Sequence, residues 1–401
     1  MDIFYTELSP LMVIAGSIFL IALGLIAYHH FAYPLLVSRL ARRKILRNQP
    51  VAPILYPLDK NAHNWPAVTI VIPVYNEQAH IAEKIRNLAL LDYPSDKLEI
   101  LMIFDGCTDH SYLLAKDTLA EPLCQSLNCT LFDDPMNRGK LQQLNHHIPN
   151  CKTDIVALSD LSALIAMDSL KLAALWFDKK STGVVCGTYR FFNHAGQQEQ
   201  SYWQYQCAIK QSESALGSTP GAHGAFYLIR KNLFRPMPVD TINDDFYLPC
   251  DVIRQGYKVI YDPRIVALEL ESSSLEYDFK RRIRISAGNM QQSLRLMDLL
   301  KPAYGTTAWM FFSCKWLRPF IPWCFVACML SSIVLSLLNP WFMIILSGQI
   351  LGYGLVLAQQ VLKMNNAILV KMHYLITGHY FGLLGGIYYL QGRFSNNWKK
   401  I

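Results

Sequence analysis

The chain has 401 residues and a formal net charge of +7 at pH 7, and residues of the set AVILMFWYC make up 52% of it. This hydrophobic share is high for a soluble protein, and the length allows one large domain with additions or two domains. Basic residues cluster beside the apolar blocks, where anionic lipid headgroups attract them, so the net charge requires no nucleic acid. The composition therefore favours an integral membrane protein with membrane lipids as partners.

The first apolar segment, Leu11 to Tyr28, has no charged residue and is long enough to cross a bilayer. Acidic rather than basic residues precede it, which argues against a cleaved signal peptide. The basic cluster Arg39 to Arg47 follows it and stays in the cytoplasm by the positive-inside rule. We therefore expect a transmembrane helix in residues 1–38 and a cytoplasmic domain in residues 39–310, with a bacterial inner membrane as the default location.

Four apolar runs between residues 68 and 159 alternate with segments of helical periodicity. The runs read VTIVIPV (68–74), LEILMIF (98–104), TLF (130–132) and DIVALS (154–159). Continuous apolar runs are typical of buried parallel strands, and strands that alternate with helices favour an α/β domain. We therefore expect a mostly parallel sheet whose first strands end at one edge.

Polar residues follow each of these predicted strands: Asn76 and Glu77, Asp105, Lys140 and Asp160. In open α/β sheets, ligands bind outside the carboxyl ends of the strands. One such residue alone is more often a turn residue or a helix cap, and Asp160 has that alternative as the cap of a helix from Ala163 to Leu175. All of them together at one edge predict a polar pocket that contains several acids and a lysine.

Six motifs follow one another within residues 68–290. They read VTIVIPVYNE, FDGCTD, NRGKLQQLN, SDLSA, PGAHGAFYLIRKNLF and NDDFYLPCDVIRQGYKVIYDP. On these motifs the chain resembles a membrane-bound family 2 glycosyltransferase, of the branch that includes cellulose, chitin and hyaluronan synthases and bacterial exopolysaccharide transferases. The resemblance implies a GT-A fold, which is an α/β nucleotide-sugar-binding domain, with transmembrane helices at both ends.

The resemblance also implies which residues bind the donor, expected to be a UDP-sugar. These are Tyr75, Glu77 and Asp105 at the uridine end, Lys140 at the base or phosphates, Asp160, Arg281 and Arg284. The stretch RRIRI (281–285) stands where polymerising synthases have a Q-R-x-R-W motif, and its guanidinium groups would clamp the departing diphosphate. A basic face that meets membrane lipids is the alternative for this stretch.

Asp160 is also the expected metal ligand. Breaking the bond between sugar and diphosphate builds negative charge, which Mg²⁺ or Mn²⁺ neutralises, and such hard cations prefer carboxylate oxygens. The residue two positions further on is Ser162 rather than a second acid. The second protein ligand therefore stays unassigned.

The resemblance implies Asp245 as the catalytic base, because it lies the family's distance before Gly256 and Tyr257. Inversion at the anomeric carbon needs such a base on the acceptor's side. The expected acceptor region comprises Gly224, Ala225 and Asp244. Adjacent residues point in different directions, so only one of the two aspartates is expected to face the site. The alternative is a helix start in which Asn243, Asp244 and Asp245 act as caps.

The C-terminal block, residues 311–401, is expected to hold an interface helix and membrane helices. Phe312 to Pro319 mixes aromatic with basic residues, which is typical of a membrane interface. Segments near Pro319–Leu338 and Pro340–Leu362 are expected to form a hairpin. The last segment, Val370 to Leu390, is open between a full crossing and a shallow or re-entrant helix.

Together these expectations describe an inverting, metal-dependent glycosyltransferase that moves a sugar from a UDP-sugar to a glycan or lipid-linked acceptor. It would act at the cytoplasmic membrane face in cell-surface or exopolysaccharide synthesis, alone or with partner subunits of a polysaccharide assembly system. A processive synthase coupled to export is one alternative, against which Ile285 speaks because it replaces the motif's tryptophan. A catalytically silent nucleotide-binding scaffold is the other, against which the retained Asp160, Asp245 and Lys140 speak.

Overall fold

The computed structural model describes residues 9–47, 64–191, 197–270, 275–362 and 366–393. Its strands are β1 Val68–Val74, β2 Leu98–Asp105, β3 Cys129–Asp134, β4 Ile155–Ser159, β5 Ala163–Ile165, β6 Thr182–Phe191, β7 Phe226–Arg230 and β8 Lys258–Glu269. Its α-helices are α1 Pro10–Ala27, α2 Tyr33–Arg47, α3 Ile81–Ala89, α4 Ser111–Leu119, α5 Lys140–His147, α6 Ser169–Phe177, α7 Gln197–Leu216, α8 Asp244–Arg254, α9 Leu275–Arg295, α10 Thr306–Met310, α11 Ile321–Leu338, α12 Met343–Leu362 and α13 Ala367–Leu390.

The described residues form two compact units. The first, called the sheet unit, comprises the described parts of Val37–Asp278 and Arg295–Phe311. The second, called the helical unit, comprises the described parts of Met1–Leu36, Phe279–Leu294 and Phe312–Arg393. All the strands belong to the sheet unit.

The strands form one sheet in the order β3-β2-β1-β4-β7-β6-β8-β5. The first four strands of the chain, β1 to β4, pair in parallel, as their apolar runs predict. Further along the sheet, β7 runs antiparallel to both β4 and β6, β6 and β8 are parallel, and β5 is antiparallel to β8. The predicted α/β fold is therefore confirmed, with a parallel half and a mixed half.

The core lies against the face of the sheet that α3 covers. Every residue of β1 and of β4 is buried. Ile81, Ile85 and Leu88 recur at helical spacing along α3 and are at most 1% exposed, so this face of the helix packs on the sheet. Burying each such side chain stabilises the fold by about 1.5–3 kcal/mol. The loops at the strand ends are therefore anchored to the buried strands of the core.

The residues after Asp160 do not form the helix that the alternative reading required. Ala163–Ile165 is the short strand β5, paired with Ala267 to Glu269 of β8, and α6 begins only at Ser169. Pairing with β8 thus takes the place of a helix start. The interpretation of Asp160 as a helix cap is therefore wrong.

Three helical stretches are long and apolar enough to cross a membrane, by length and composition, among the described residues. They are Pro10–Ile45, Thr306–Leu338 and Pro340–Gln359. The first contains the predicted segment from Leu11, and the other two cover residues 319–338 and 340–359 of the predicted hairpin. The last apolar segment forms one continuous helix, α13, and its course relative to a membrane stays a prediction.

Candidate active site

Asp105, at the end of β2, holds the loop that leads into α5. Its side chain is 0% exposed and accepts hydrogen bonds from the backbone N–H groups of Arg138 (2.8 Å) and Gly139 (2.7 Å) and from Nε2 of Gln143 (2.6 Å). Gly139 has a φ of 89°, a conformation that favours glycine. Asp105 therefore shapes the turn that presents Lys140, and its contact with uridine stays a prediction.

The loop after β1 places two more of the predicted donor residues at the same edge. Tyr75 and Glu77 are both half-buried. Asn76 between them has a φ of 51°, and its Oδ1 accepts a hydrogen bond from the backbone N–H of Thr108 (2.8 Å) in the loop after β2. This bond ties two strand-end loops together and fixes where the side chains of Tyr75 and Glu77 emerge.

Lys140 and Asp160 meet at the strand ends, as the sequence predicts for this edge. Nζ of Lys140, the first residue of α5, donates a hydrogen bond to Oδ1 of Asp160 at 2.8 Å and lies 3.6 Å from Oδ2 of Asp244. Burial lowers the pKa of Lys140, but the charges of Asp160 and Asp244 outweigh it and hold this pKa above its ordinary value. Lys140 is therefore a permanent cation between two carboxylates.

The predicted acceptor loop connects Asp160 with Asp245. Oδ2 of Asp245 accepts a hydrogen bond from the backbone N–H of Gly224 (3.0 Å), and the backbone oxygen of Ala225 accepts one from the N–H of Asp160 (3.2 Å). A Cβ atom on Gly224 would lie 3.5 Å from Oδ2 of Asp160 and 3.6 Å from Oδ2 of Asp245. The missing side chain therefore leaves a gap, called the Gly224 gap, bordered by an oxygen of each carboxylate.

Asp244 and Asp245 are the first two residues of α8, at the end of the helix where its dipole stabilises negative charge. The cap position belongs to Asn243, whose side chain makes no capping hydrogen bond. Asp244 faces Lys140, whereas Asp245 faces Gly224. The two adjacent carboxylates thus point in different directions, as predicted, and neither is the helix cap. Each lies beside a predicted site residue, so the expectation that only one would face the site is wrong.

Lys84 is a buried cation that the sequence analysis missed. It lies on α3, is 0% exposed, and its Nζ donates hydrogen bonds to Oγ of Ser159 (2.7 Å) and to the backbone oxygen of Ala163. Burial lowers its pKa to about 7, and nearby carboxylates offset part of this effect. A signal was present: residue 84 shares the apolar helix face of Ile81 and Ile85. Lys84 therefore joins α3 to the end of β4 and to the start of β5 through hydrogen bonds.

The predicted arginines of the donor site belong to the helical unit. Arg281 and Arg284 lie on α9, within Phe279–Leu294, and Arg284 is exposed. Arg282, between them, places its guanidinium carbon 5.2 Å from the centre of the Tyr374 ring on α13. The contact of Arg281 and Arg284 with a diphosphate stays a prediction.

Asp160 suits a divalent cation as a single protein ligand. The described part of the chain contains no group of three His, Cys, Asp or Glu side chains arranged to hold a metal ion. The Asp160 side chain is 39% exposed, and its Oδ2 borders the Gly224 gap. Carboxylate oxygen is the ligand type that Mg²⁺ and Mn²⁺ prefer. The residues therefore fit a cation whose other ligands come from phosphate oxygens and water.

One protein family and several curated relatives match the sequence. The family described as Glycosyl transferase family 2 matches residues 69–237. The poly-beta-1,6-N-acetyl-D-glucosamine synthase of Staphylococcus aureus strain COL is 26% identical over 255 residues, 60% of each chain. The synthase of the same name from Staphylococcus epidermidis is 24% identical over 236 residues, 57% of this chain and 56% of the relative. The chain thus spans about 60% of the length of the first of these relatives.

The fold is similar to that of a mannosyltransferase from Pyrobaculum calidifontis, whose structure was solved in complex with GDP-Man and Mn²⁺. The TM-score is 0.70 at 22% identity, covering 94% of this chain and 100% of that chain. At this identity the likeness concerns the fold alone. The matched family segment, 69–237, includes Lys140, Asp160 and Gly224 and ends before Asp244 and Asp245. The place of those two aspartates in the site therefore rests on the geometry described above.

Proposed function

Because the chain carries a Glycosyl transferase family 2 domain, we propose that it transfers a sugar from a nucleotide sugar to a glycan or lipid-linked acceptor at a membrane surface. One observation carries this proposal: Asp160 and Asp245 border the Gly224 gap near the end of β4, and Lys140 hydrogen-bonds Asp160 there. The cation can bind the anionic donor, and the exposed carboxylate can hold a metal ion beside it. The second carboxylate can accept a proton from the acceptor.

On the donor side, Lys140 is the residue that attracts the diphosphate. Its ammonium now bonds Asp160, and a diphosphate offers it more negative charge than one carboxylate does. Asp160 would then hold a divalent cation, Mg²⁺ or Mn²⁺, which neutralises the charge of the leaving diphosphate when bound. Tyr75 and Glu77, half-buried in the loop after β1, are the proposed contacts of the nucleoside. Asp105 contributes through the turn that presents Lys140.

On the acceptor side, Asp245 is the proposed base. The N–H of Gly224 holds Oδ2 of Asp245 and thereby orients the carboxylate. Asp245 accepts the proton of the acceptor hydroxyl while that oxygen bonds to the anomeric carbon and the bond to the nucleoside diphosphate breaks. Attack from the side opposite the leaving group inverts the anomeric configuration.

N-acetylglucosamine is the sugar that we propose first, carried by UDP, because both staphylococcal relatives are named for its polymer. The same names favour a second candidate function, a processive synthase. Ile285 speaks for single transfer, since it stands where the polymerising enzymes that the chain resembles have tryptophan. The basic residues after α1 favour a cytoplasmic sheet unit at a bacterial inner membrane.

UDP release by the purified protein in nanodiscs tests the proposal. A panel of UDP-sugars is supplied with Mn²⁺ or Mg²⁺, with and without native lipid extract, and the length of any labelled product is measured. Release that depends on both the cation and one UDP-sugar supports the transferase. One sugar added per acceptor supports single transfer, whereas a lengthening product supports the synthase. UDP binding without release from any donor would support a silent scaffold instead.

A further inference from the structure

Tyr227 carries a buried hydroxyl group that has no role in the site described above. The residue is the second of β7, lies opposite Leu158 of the neighbouring β4, and is 0% exposed. Among the residues that the structure describes, its hydroxyl oxygen has no hydrogen-bond partner. Proteins rarely keep such a group, because an unsatisfied buried donor destabilises the folded state. Its retention therefore points to a use in another state of the molecule.

Asp244 presents the complementary group. Its Oδ2 is buried and likewise makes no hydrogen bond within the described residues, although Nζ of Lys140 lies 3.6 Å away. That ammonium hydrogen-bonds Asp160 instead, at 2.8 Å. Besides the start of α8, the carboxylate of Asp244 is thus stabilised by a lysine that hydrogen-bonds another residue.

The charge of Asp244 acts on the hydroxyl group of Tyr227. Burial raises the pKa of Tyr227 well above its ordinary value, and the negative charge of Asp244 raises it further, followed by the charges of Asp245 and Asp160. The phenol therefore stays protonated and is a hydrogen-bond donor. A neutral donor stabilises a carboxylate without adding a charge to the site.

We propose that Tyr227 is a positioning residue that donates a hydrogen bond to Asp244 when Lys140 turns to the diphosphate of the bound donor. This inference rests on the proposed function. A buried carboxylate that loses its nearby cation needs another partner. The hydroxyl of Tyr227 supplies that partner and keeps Asp244 in place at the start of α8. Asp245, the next residue of the same helical turn, keeps its position beside Gly224 for that reason.

Tyr227→Phe tests the inference, because it removes only the hydroxyl. We expect turnover to fall by about tenfold to a hundredfold, as for the loss of a hydrogen bond to a charged group, with an unchanged KM for the donor. The melting temperature should stay the same or rise, since the lost hydroxyl has no partner in the unliganded protein. A hydroxyl that serves packing alone would leave turnover unchanged, and that result would overturn the inference.

Tyr261→Phe is the matched control. Tyr261 is a buried tyrosine of β8 whose hydroxyl shares a hydrogen bond of 2.8 Å with Oγ1 of Thr188. Its loss should lower the melting temperature and leave turnover unchanged, which is the reverse of the expectation for Tyr227→Phe. A larger loss of melting temperature in Tyr227→Phe than in Tyr261→Phe would contradict the premise that the Tyr227 hydroxyl is unpaired.

The pair of variants Tyr227→Phe and Asp244→Asn shows whether Tyr227 acts through Asp244. With radiolabelled donor, so that residual turnover registers, Tyr227→Phe should have little further effect once residue 244 is asparagine. An equal fold-loss in both backgrounds would overturn the proposed contact. Failure of the proposed function would appear differently, as wild-type protein that releases no UDP from any donor.

Discussion

Asp105 and Asp160 both end or follow a buried strand at the same edge of the sheet, yet their surroundings differ. Asp105 is 0% exposed, and its oxygens accept two hydrogen bonds from the loop before α5 and one from Gln143 of α5. The Asp160 side chain is 39% exposed and bonds one flexible ammonium group, that of Lys140. A buried carboxylate whose oxygens accept hydrogen bonds from another loop and helix stabilises that loop, whereas an exposed carboxylate beside a cation is available to a ligand. The role of a strand-end acid is therefore decided by its partners.

Asp160→Asn tests the functional role of Asp160 and should cause a large loss of turnover with little loss of stability. The amide is a poor ligand for a hard cation, so turnover should fall by at least about a hundredfold. The melting temperature should change little, because the partly exposed pair with Lys140 contributes little stability. Turnover is measured as UDP release and the melting temperature by differential scanning fluorimetry in nanodiscs. Unchanged turnover at saturating Mn²⁺ would remove Asp160 from the metal site.

Gly224→Ala tests the surroundings of Asp160 and should reduce turnover less than Asp160→Asn does. The added methyl group would contact Oδ2 of both Asp160 and Asp245 at ordinary distances, so the fold should tolerate it. It would nevertheless occupy the Gly224 gap, and turnover should fall by about tenfold to a hundredfold. Initial rates and melting curves measure both effects.

Gly217→Ala is the control for this substitution. A Cβ atom on Gly217 would lie 3.5 Å from Oγ1 of Thr306, a similarly ordinary contact at a position outside the carboxylate cluster. The variant should keep wild-type turnover and stability. Equal activity of the two alanine variants would mean that the Gly224 gap takes no part in the reaction.

Asp105→Asn tests the structural role of Asp105 and should lower the stability of the fold. The side-chain NH₂ group would face one of the N–H donors that now point at a carboxylate oxygen. We expect the free energy of unfolding to fall by about 2–3 kcal/mol, measured by denaturant titration of the purified protein. A variant of unchanged stability that no longer binds UDP would assign Asp105 to the donor instead of the loop.

Lys84→Met should have the smallest effect, a change in the pH dependence of stability. The folded-state pKa of Lys84 is about 7, below its ordinary value of 10.5. Between these values the unfolded chain binds more protons, so this residue makes the wild type more stable as pH rises. The gain in melting temperature from pH 7 to pH 9 should therefore be smaller in Lys84→Met. Lys116→Met, which changes an exposed lysine of α4, should keep the wild-type gain, and an equal loss of slope in both variants would contradict the assignment.

Much of the parallel half of the sheet was predictable, because β1 and β4 are continuous apolar runs. The run VTIVIPV coincides with β1, Val68–Val74. β5 was not predictable, because Ala163–Ile165 is only three residues long and is defined by pairing with β8, far along the chain. The hydrophobic pattern of a segment predicts the secondary structure of that segment, but it does not show which distant segment the strand pairs with.

The site was predictable in outline for the same reason. Parallel strands end together, so Lys140 and Asp160 were expected at one edge, and the structure brings them within 2.8 Å. The bonds that distinguish Asp105 from Asp160 come from the loop conformation around Gly139, which the sequence suggests only as a glycine. The complete burial of Tyr227 was not predictable, because both faces of β7 are apolar and its burial depends on the neighbouring strands.

The most direct test of the central claim compares donor binding with donor turnover in the wild type and in Asp245→Asn. The affinity for UDP-N-acetylglucosamine is measured by calorimetry with Mn²⁺, and turnover by UDP release in the presence of native lipid extract. We predict equal affinity and a loss of turnover by a factor of about 10²–10⁴, as for the removal of a general base. Equal turnover in the two proteins would contradict the account, because the carboxylate beside Gly224 would then not be the base.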